Sequence, residues 1–566
     1  MAVSFGVRKF RSLLLAGSFT VLASYVVRLS DSVVAGNLIG PDALAGVNLV
    51  SPVLSAISFL AGLIATGMAT NYSLAMGRLD RTRAHQFFVQ ALWSIAIFGG
   101  ALSLAILFGR DAFLSFLGAD ASVSAHAADY MRWVWPMAVV ECLETMFVAL
   151  GYADGDAKLC TASYVVVFVA NAVISVVAVK LGMGTGGCAL GSLVSEILGV
   201  AVVAAHFLRK SNSCRLTRHF SLKDSWRIAV ASFGDAAAFL CDAGLFLFLN
   251  KFVIANFGSA ALPVLGVVTA LWGFLEFFNG IGVAVQPIVT VYYGEGNTRA
   301  VASVMRAAML TSLAEGLAFM AVFGAFPELA VRMVGVSEPE LVRMGCLAVR
   351  LMCGGFVALA FAGLFNSYYM FVERSLLVGV VTFACYLVLP VATVAVCSLW
   401  GLQGVWAGLG LGPFAGCVLS SLFILAIGGW RRYPLMLDRR REDRQFVFGL
   451  ELLDAAIVEV SRQVAGVLVA REVPETKVVR ASLMTEEVLM VVKDRNRGRH
   501  TVAEVCLDLS DGVTLTLRDD GEIFDITDAD AQISSLRTFL VASVMERQVG
   551  RINLVTTGFN RNVFKF

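Results

Sequence analysis

The sequence predicts an α-helical polytopic membrane protein: twelve transmembrane helices in two six-helix repeats, plus a C-terminal α/β sandwich domain. Three observations predict it. The 566 residues are 58% hydrophobic and 15% charged, well below the ~25% charged residues of soluble domains. Twelve apolar stretches are long enough to span a hydrocarbon core, which takes about 20 helical residues each. Short landmarks also recur at one spacing. Gly40-Pro41-Asp42-Ala43-Leu44 is echoed by Gly258-Ser259-Ala260-Ala261-Leu262, Gly77 by Gly294, and Gly187-Cys188-Ala189-Leu190-Gly191 by Gly404-Val405-Trp406-Ala407-Gly408. Each echo lies about 218 residues on, the mark of a duplicated membrane unit.

The spans fall near 13–36, 47–76, 87–109, 128–151, 160–181 and 186–208, then 228–256, 261–293, 304–326, 344–371, 375–398 and 404–429. Six spans return the chain to its starting side, so the two halves are parallel repeats. An N-lobe over 1–208 and a C-lobe over 228–430 are joined by a loop at 209–227. Basic residues gather in alternate loops: Arg8, Lys9 and Arg11; Arg78, Arg81 and Arg83; Arg209, Lys210, Arg215, Arg218 and Lys223; and Arg431, Arg432, Arg439, Arg440, Arg441 and Arg444. The positive-inside rule puts these loops and both termini in the cytoplasm of a plasma-membrane protein. As topology determinants they need no nucleic acid to explain them. The eleven cysteines form no CxxC pair, so neither zinc nor redox work is expected of them.

After Trp430 the composition changes. A basic linker at 431–449 leads to a domain at 450–566. Leu453, Ile457, Val460, Val464 and Val467 recur at helical spacing, and a second helix is expected over about 475–494. Val505, Leu507 and Leu509 alternate with polar residues as a strand. Asp511-Gly512 is a hairpin signal, and Val513, Leu515 and Leu517 form the returning strand. A helix near 530–547 and strands near 550–556 and 561–566 complete the expected layers.

Inside the membrane, a charge at a helix centre costs at least about 2.5–3.5 kcal/mol, so intramembrane carboxylates are functional candidates. Asp31 is the first, with Arg28 three residues earlier as the alternative ion-pair partner. Glu196, Asp235, Asp242, Glu276 and Glu315 follow. Asp235 and Asp242 are two turns apart on one face, and Asn279 is one turn beyond Glu276. Trp272, Phe274, Phe277 and Phe278 are candidates for stacking on a cation or for packing.

The run Asp31-Ser32-Val33-Val34-Ala35-Gly36-Asn37-Leu38-Ile39-Gly40-Pro41-Asp42-Ala43-Leu44-Ala45 resembles the first-helix signature of the MATE (multidrug and toxic compound extrusion) transporters. Gln286-Pro287-Ile288 followed by Tyr293-Gly294 resembles their second-half motif. The resemblance covers about 10–430. It implies a two-lobe antiporter that exports small organic cations in exchange for protons or sodium, with no catalytic site and no resident cofactor. Asp31 then matches the family's ion-coupling carboxylate, and Asn171 the Asn of its fifth-helix element. That element's acidic position is Ser175 here. Ser192 stands where the family often has Thr, and Glu196, one turn on, is placed to replace the missing charge. Asp242 falls near an acidic, sodium-linked position of one branch.

In the tail, Thr485-Glu486-Glu487-Val488-Leu489-Met490-Val491-Val492-Lys493-Asp494 and Arg518-Asp519-Asp520-Gly521-Glu522-Ile523-Phe524-Asp525 resemble the nucleotide motifs of histidine-kinase and anti-sigma-factor ATPase domains. The resemblance implies Glu486 as the catalytic Glu and Asp519 and Gly521 as the adenine-binding pair. Met490 replaces the magnesium-holding Asn, and a thioether is a poor ligand for a hard cation. Ile533-Ser534-Ser535-Leu536-Arg537 replaces the Gly-rich lid. The expectation is a degenerate, non-catalytic regulatory domain that contacts a cytoplasmic protein. The alternatives are a lipid-linked glycan flippase of related architecture, or a membrane sensor signalling through the tail.

Overall fold

A computed structural model describes residues 5–117, 121–209, 212, 214–258, 261–333, 338–510, 512–522, 552–556 and 559–566. In the N-lobe the helices are α1 (Phe5–Leu38), α2 (Pro41–Leu49), α3 (Ser51–Gly77), α4 (Arg81–Ser94), α5 (Gly100–Leu117), α6 (Ala121–Met131), α7 (Met137–Ala153), α8 (Ala157–Lys180) and α9 (Gly184–Ala204). The C-lobe holds α10 (Leu222–Phe257), α11 (Leu262–Phe274), α12 (Asn279–Gly294), α13 (Thr298–Ala325), α14 (Glu328–Met333), α15 (Pro339–Met352), α16 (Phe356–Phe371), α17 (Ser375–Phe383), α18 (Leu389–Cys397) and α19 (Leu402–Arg432). Among the described residues, ten helical stretches are long and apolar enough to cross a membrane. The expected first and fourth spans stand outside these ten. The fourth is not one continuous helix: turns at 132–136, ahead of the ring of Pro136, separate α6 from α7. Other expected spans are bent within themselves, by wide turns at Ile95–Gly99 and Ala384–Val388 and by tight turns at Leu275–Phe278 and Cys353–Gly355.

The echoed landmarks occupy equivalent places. Gly40 and Gly258 both take positive φ at helix ends, which glycine adopts without steric cost. Asp80 caps α4 by accepting from Arg83 N–H, and Asn297 caps α13 by accepting from Ala300 N–H. Gly77 and Gly294 meet each other: a Cβ on Gly77 would come within 3.0 Å of Gly294 Cα and 2.6 Å of Val291 O.

Among the described residues, the close contacts between the lobes gather toward one side. α1 packs on α12, where a Cβ on Gly17 would strike Gly280 O, and Ser232 of α10 donates to Leu63 O of α3 at 2.6 Å. These contacts lie toward the basic loops. Toward the opposite face, Val34, Ala35, Val47 and Val50 pack only among N-lobe residues, and Leu245, Leu249 and Val253 only among C-lobe residues. The cleft between the lobes therefore opens away from the basic loops.

The tail holds α20 (Asp454–Ala470) and α21 (Glu475–Arg495) over a five-stranded sheet. Its strands are β1 (Gln445–Glu451), β2 (Val502–Asp508), β3 (Thr514–Asp519), β4 (Ile552–Thr556) and β5 (Phe559–Lys565), ordered β1-β2-β3-β5-β4. All pairings are antiparallel. The expected helix near 530–547 lies outside the described residues. Two expectations shift. The sheet begins at Gln445 rather than 450, because β1 pairs with β2 from Gln445↔Asp508 onward. The 431–449 segment is also not a free linker. Leu435, Met436 and Leu437 are buried in the C-lobe core, and Tyr368 and Tyr369 donate to Leu435 O and Pro434 O, both at 2.7 Å.

Candidate functional site

Between the lobes lies a cavity of about 360 Å³ lined by α1, α3, α6 to α12 and α16 together with the Leu275–Phe278 turn. On its N-lobe wall, Asp31 is 4% exposed, although it stands on a membrane helix. Its Oδ2 accepts from Tyr130 OH and from Ser192 Oγ, each at 2.7 Å. Asn171 donates to Ser192 Oγ at 2.7 Å, and Ser30 donates to Asn171 Oδ1. α1, α6, α8 and α9 thus converge on one carboxylate. An isolated buried charge would be costly, and hydroxyl donors offset part of that cost. Carboxyl, hydroxyl and amide oxygens of this kind can hold a proton or a small hard cation.

The structure places the expected residues unevenly. Asp31, Ser192, Glu196, Asp242 and Glu276 line the cavity. Asn171 stands behind Ser192 and does not itself line the cavity, but its side chain also hydrogen-bonds to the Asp31 carboxyl. Ser175 does not reach it: fully buried, it donates to Cys188 O at 3.3 Å and packs against Gly191 of α9. This small polar residue helps α8 and α9 approach closely, which is a packing role. Asp242 accepts from Trp272 Nε1 at 3.0 Å. The side chain of Asp235 lies outside the described residues, as does that of Arg28. Trp272 and Phe278 line the cavity, whereas Phe274 and Phe277 stack on Phe319 in the C-lobe.

Two cavity carboxylates escaped the sequence reading. Glu141 accepts from Ser58 Oγ at 2.7 Å, and Glu144, 5% exposed, faces Glu196 and Ser163. The signal was present: Glu141 and Glu144 are one turn apart within an apolar span, where any acid is a candidate. Tyr130 also escaped, because nothing in its local sequence links it to Asp31 across 99 residues. In all, Asp31, Glu141, Glu144, Glu196, Asp242 and Glu276 line the cavity, and among the described residues no Lys, Arg or His joins them.

In the tail, the nucleotide motif does not fit a nucleotide–metal site. Asp519 is 2% exposed, and its Oδ1 already accepts from Gly521 N–H at 3.0 Å and from Asn560 Nδ2 at 2.8 Å. A Cβ on Gly521 would collide with Asn496, so this glycine serves packing. Glu486 is half-buried on α21, one turn before the thioether of Met490. The segment expected to carry the lid, and Gly558, lie outside the described residues.

Two helical lobes around an acidic cavity define a multi-pass membrane transporter. The family model for MatE matches residues 17–177 and again 236–395, in step with the duplication. The chain belongs to the MatE family. It is 23% identical over 416 residues to a probable multidrug resistance protein NorM of Thermotoga maritima, covering 70% of this chain and 88% of that one. A second protein described in the same words, from Pseudomonas syringae pv. tomato, is 27% identical over 430 residues, covering 70% and 90%. The fold is that of solved MATE transporters. One in complex with MaL6 superposes with a TM-score of 0.70 at 20% identity, covering 74% of this chain and 96% of that one. An outward-facing multidrug resistance MATE transporter superposes with a TM-score of 0.69 at 20% identity, covering 75% and 98%.

Proposed function

We propose that this protein is a secondary antiporter with twelve membrane-spanning units that expels organic cations, driven by a proton or sodium gradient. The observation that carries the reading is the cavity wall: six carboxylates, no basic residue among those described, and the aromatic rings of Trp272, Tyr130, Tyr152 and Phe278. Carboxylates attract a cationic substrate, and rings bind its charge across their faces at about 0.5–2 kcal/mol each. Asp31 is the coupling residue. It can exchange its charge between a coupling ion and the substrate as the lobes rock, so that the two compete for one site. With the basic loops cytoplasmic, the cleft described here opens outward. The tail is regulatory, without catalytic turnover. Names carried by relatives point the same way.

The test is uptake of ethidium into liposomes holding the purified protein, under an imposed proton or sodium gradient. Gradient-dependent, saturable movement is expected for the wild type, and a loss of at least about tenfold for Asp31→Asn. Equal transport of a neutral or anionic dye, or full coupling in Asp31→Asn, contradicts the assignment.

A further inference from the structure

The tail sheet has two buried faces, and among the described residues its helices α20 and α21 cover one of them. Ala503, Val505, Leu507, Leu515, Leu517 and Phe564 pack under α20 and α21. The alternate residues of the same strands face the other way. Glu504, Arg518 and Arg561 stand in one cross-strand row by register, 2%, 1% and 1% exposed. Neither α20 nor α21 packs on this row. It is covered by the transporter itself.

The covering residues come from both lobes. Glu295, just past α12, pairs with Arg518 and with Arg561, the latter at 2.6 Å. Arg518 also pairs with Glu504 at 2.6 Å and lies over the Tyr292 ring, 4.9 Å from its centroid. Tyr292 OH donates to Glu504 at 3.2 Å, and Thr298 Oγ1 to Glu442 at 3.1 Å. These contacts are with the C-lobe. Arg561 reaches the N-lobe as well, donating to Met76 O at 2.9 Å and Gly77 O at 3.1 Å, the last residues of α3. At the start of α1, Phe5 meets Phe559 edge-on at 5.3 Å, and Arg8 approaches Asp520 at 3.8 Å. A single guanidinium therefore joins the carboxylate of one lobe to the helix end of the other. It does so at Gly77 and Gly294, the place where the lobes touch. Carbonyls at a helix C-terminus carry partial negative charge, and a planar fork satisfies several acceptors at once.

The duplication shows why the tail is needed. At the site equivalent to Glu295, Arg78 pairs directly across the lobes with Glu373 at 2.5 Å. The N-lobe loop equivalent to that of Glu373 carries acids instead: Asp154 and Asp156, engaged by His206 and Arg209. It offers Glu295 no countercharge. The tail supplies two.

We infer that the face of the tail sheet opposite α20 and α21 is a docking surface for the chain's own two lobes, and that Arg561 and Arg518 clamp them shut on the basic-loop side through Glu295. The clamp holds the cleft open on the opposite face only. The lobes cannot rock to the reverse opening until the row disengages, so tail release sets the rate of that step. This rests on the transport reading for its consequence, but not for its geometry.

Hydrogen exchange of the full-length protein, followed by mass spectrometry, tests the geometry without any transport assay. Glu295→Gln leaves every tail residue intact, and Arg561→Ala attacks the clamp from the other side. In both, peptides covering 70–80 and 288–298 are expected to exchange at least about tenfold faster, while 454–495 keeps wild-type protection and shows the tail still folded. Wild-type exchange at both helix ends in Glu295→Gln overturns the clamp. So does loss of protection at 454–495 in Glu295→Gln, because the pair would then serve tail folding. If helix-end exchange rises as expected while ethidium transport is absent from the wild type, the clamp stands and the transport reading falls.

Discussion

Asp31 holds its place because four helices meet at its carboxyl group. Tyr130 and Ser192 donate to one of its oxygens, so hydroxyl neighbours from α6 and α9 position the carboxylate. Removing the charge while keeping the shape, as Asp31→Asn does, should abolish gradient coupling. Glu144→Gln is a milder change. It removes one of six cavity carboxyl groups and is expected to raise the half-saturating ethidium concentration severalfold while coupling persists, as measured by initial rates in liposomes. Asp519, outside the membrane, carries a pH signature. Burial pushes its carboxyl up to about 7, against the lowering effect of Asn560 and the Gly521 N–H. A carboxyl raised on folding stabilises the fold fully below its unfolded value, and that contribution is lost as pH climbs through about 7. The tail should therefore exchange amides faster, after correction for intrinsic rates, as pH rises across that window. Asp519→Asn keeps the acceptor oxygen for both donors and should flatten the trend. An unchanged trend would show that another group sets it.

Elements that repeat in the sequence repeat in their local physics. The caps at Asp80 and Asn297 end the same tight turn, which also places Leu79 and Gly296 at positive φ. Asp80→Ala and Asn297→Ala should each cost about 1 kcal/mol in a denaturation series, the usual value of a helix N-cap. Gly77 cannot gain a side chain without moving α12, since a Cβ would press on backbone at Val291 O. Gly77→Val should therefore separate the lobes at this end, read out as faster exchange at 288–298 with the other face unchanged. Ten of the expected spans were legible because membrane helices need long apolar runs. Their bends were not: wide and tight turns leave no compositional mark, and the break between α6 and α7 falls at Arg132-Trp133-Val134-Trp135-Pro136, a mostly apolar run in which only Pro136 is a helix breaker. β1 was missed for a related reason, because Gln445–Glu451 follows directly on an arginine run and reads as linker until β2 is seen beside it.

At the scale of the whole molecule, the duplication built two lobes of one shape that then diverged in chemistry. Asp31, Glu196, Asp242 and Glu276 were legible, since each is an acid within an apolar run. Which acids share a cavity was not, because that is a property of packing between distant spans. Ser175 matched a motif by position yet serves helix packing, and Glu144 matched none yet lines the cavity. The tail is likewise defined by what covers it. Its nucleotide-like motif is already degenerate in sequence, and the buried Glu504–Arg518–Arg561 row turns that sheet toward the membrane body. The central claim is that a carboxylate-lined cavity moves organic cations against a coupling ion. Ethidium flux into liposomes under an imposed proton or sodium gradient tests it most directly, comparing wild type with Asp31→Asn. Saturable, gradient-driven flux in the wild type that drops at least about tenfold in the variant is the predicted result. Flux that ignores the gradient, or that survives intact in Asp31→Asn, would contradict it.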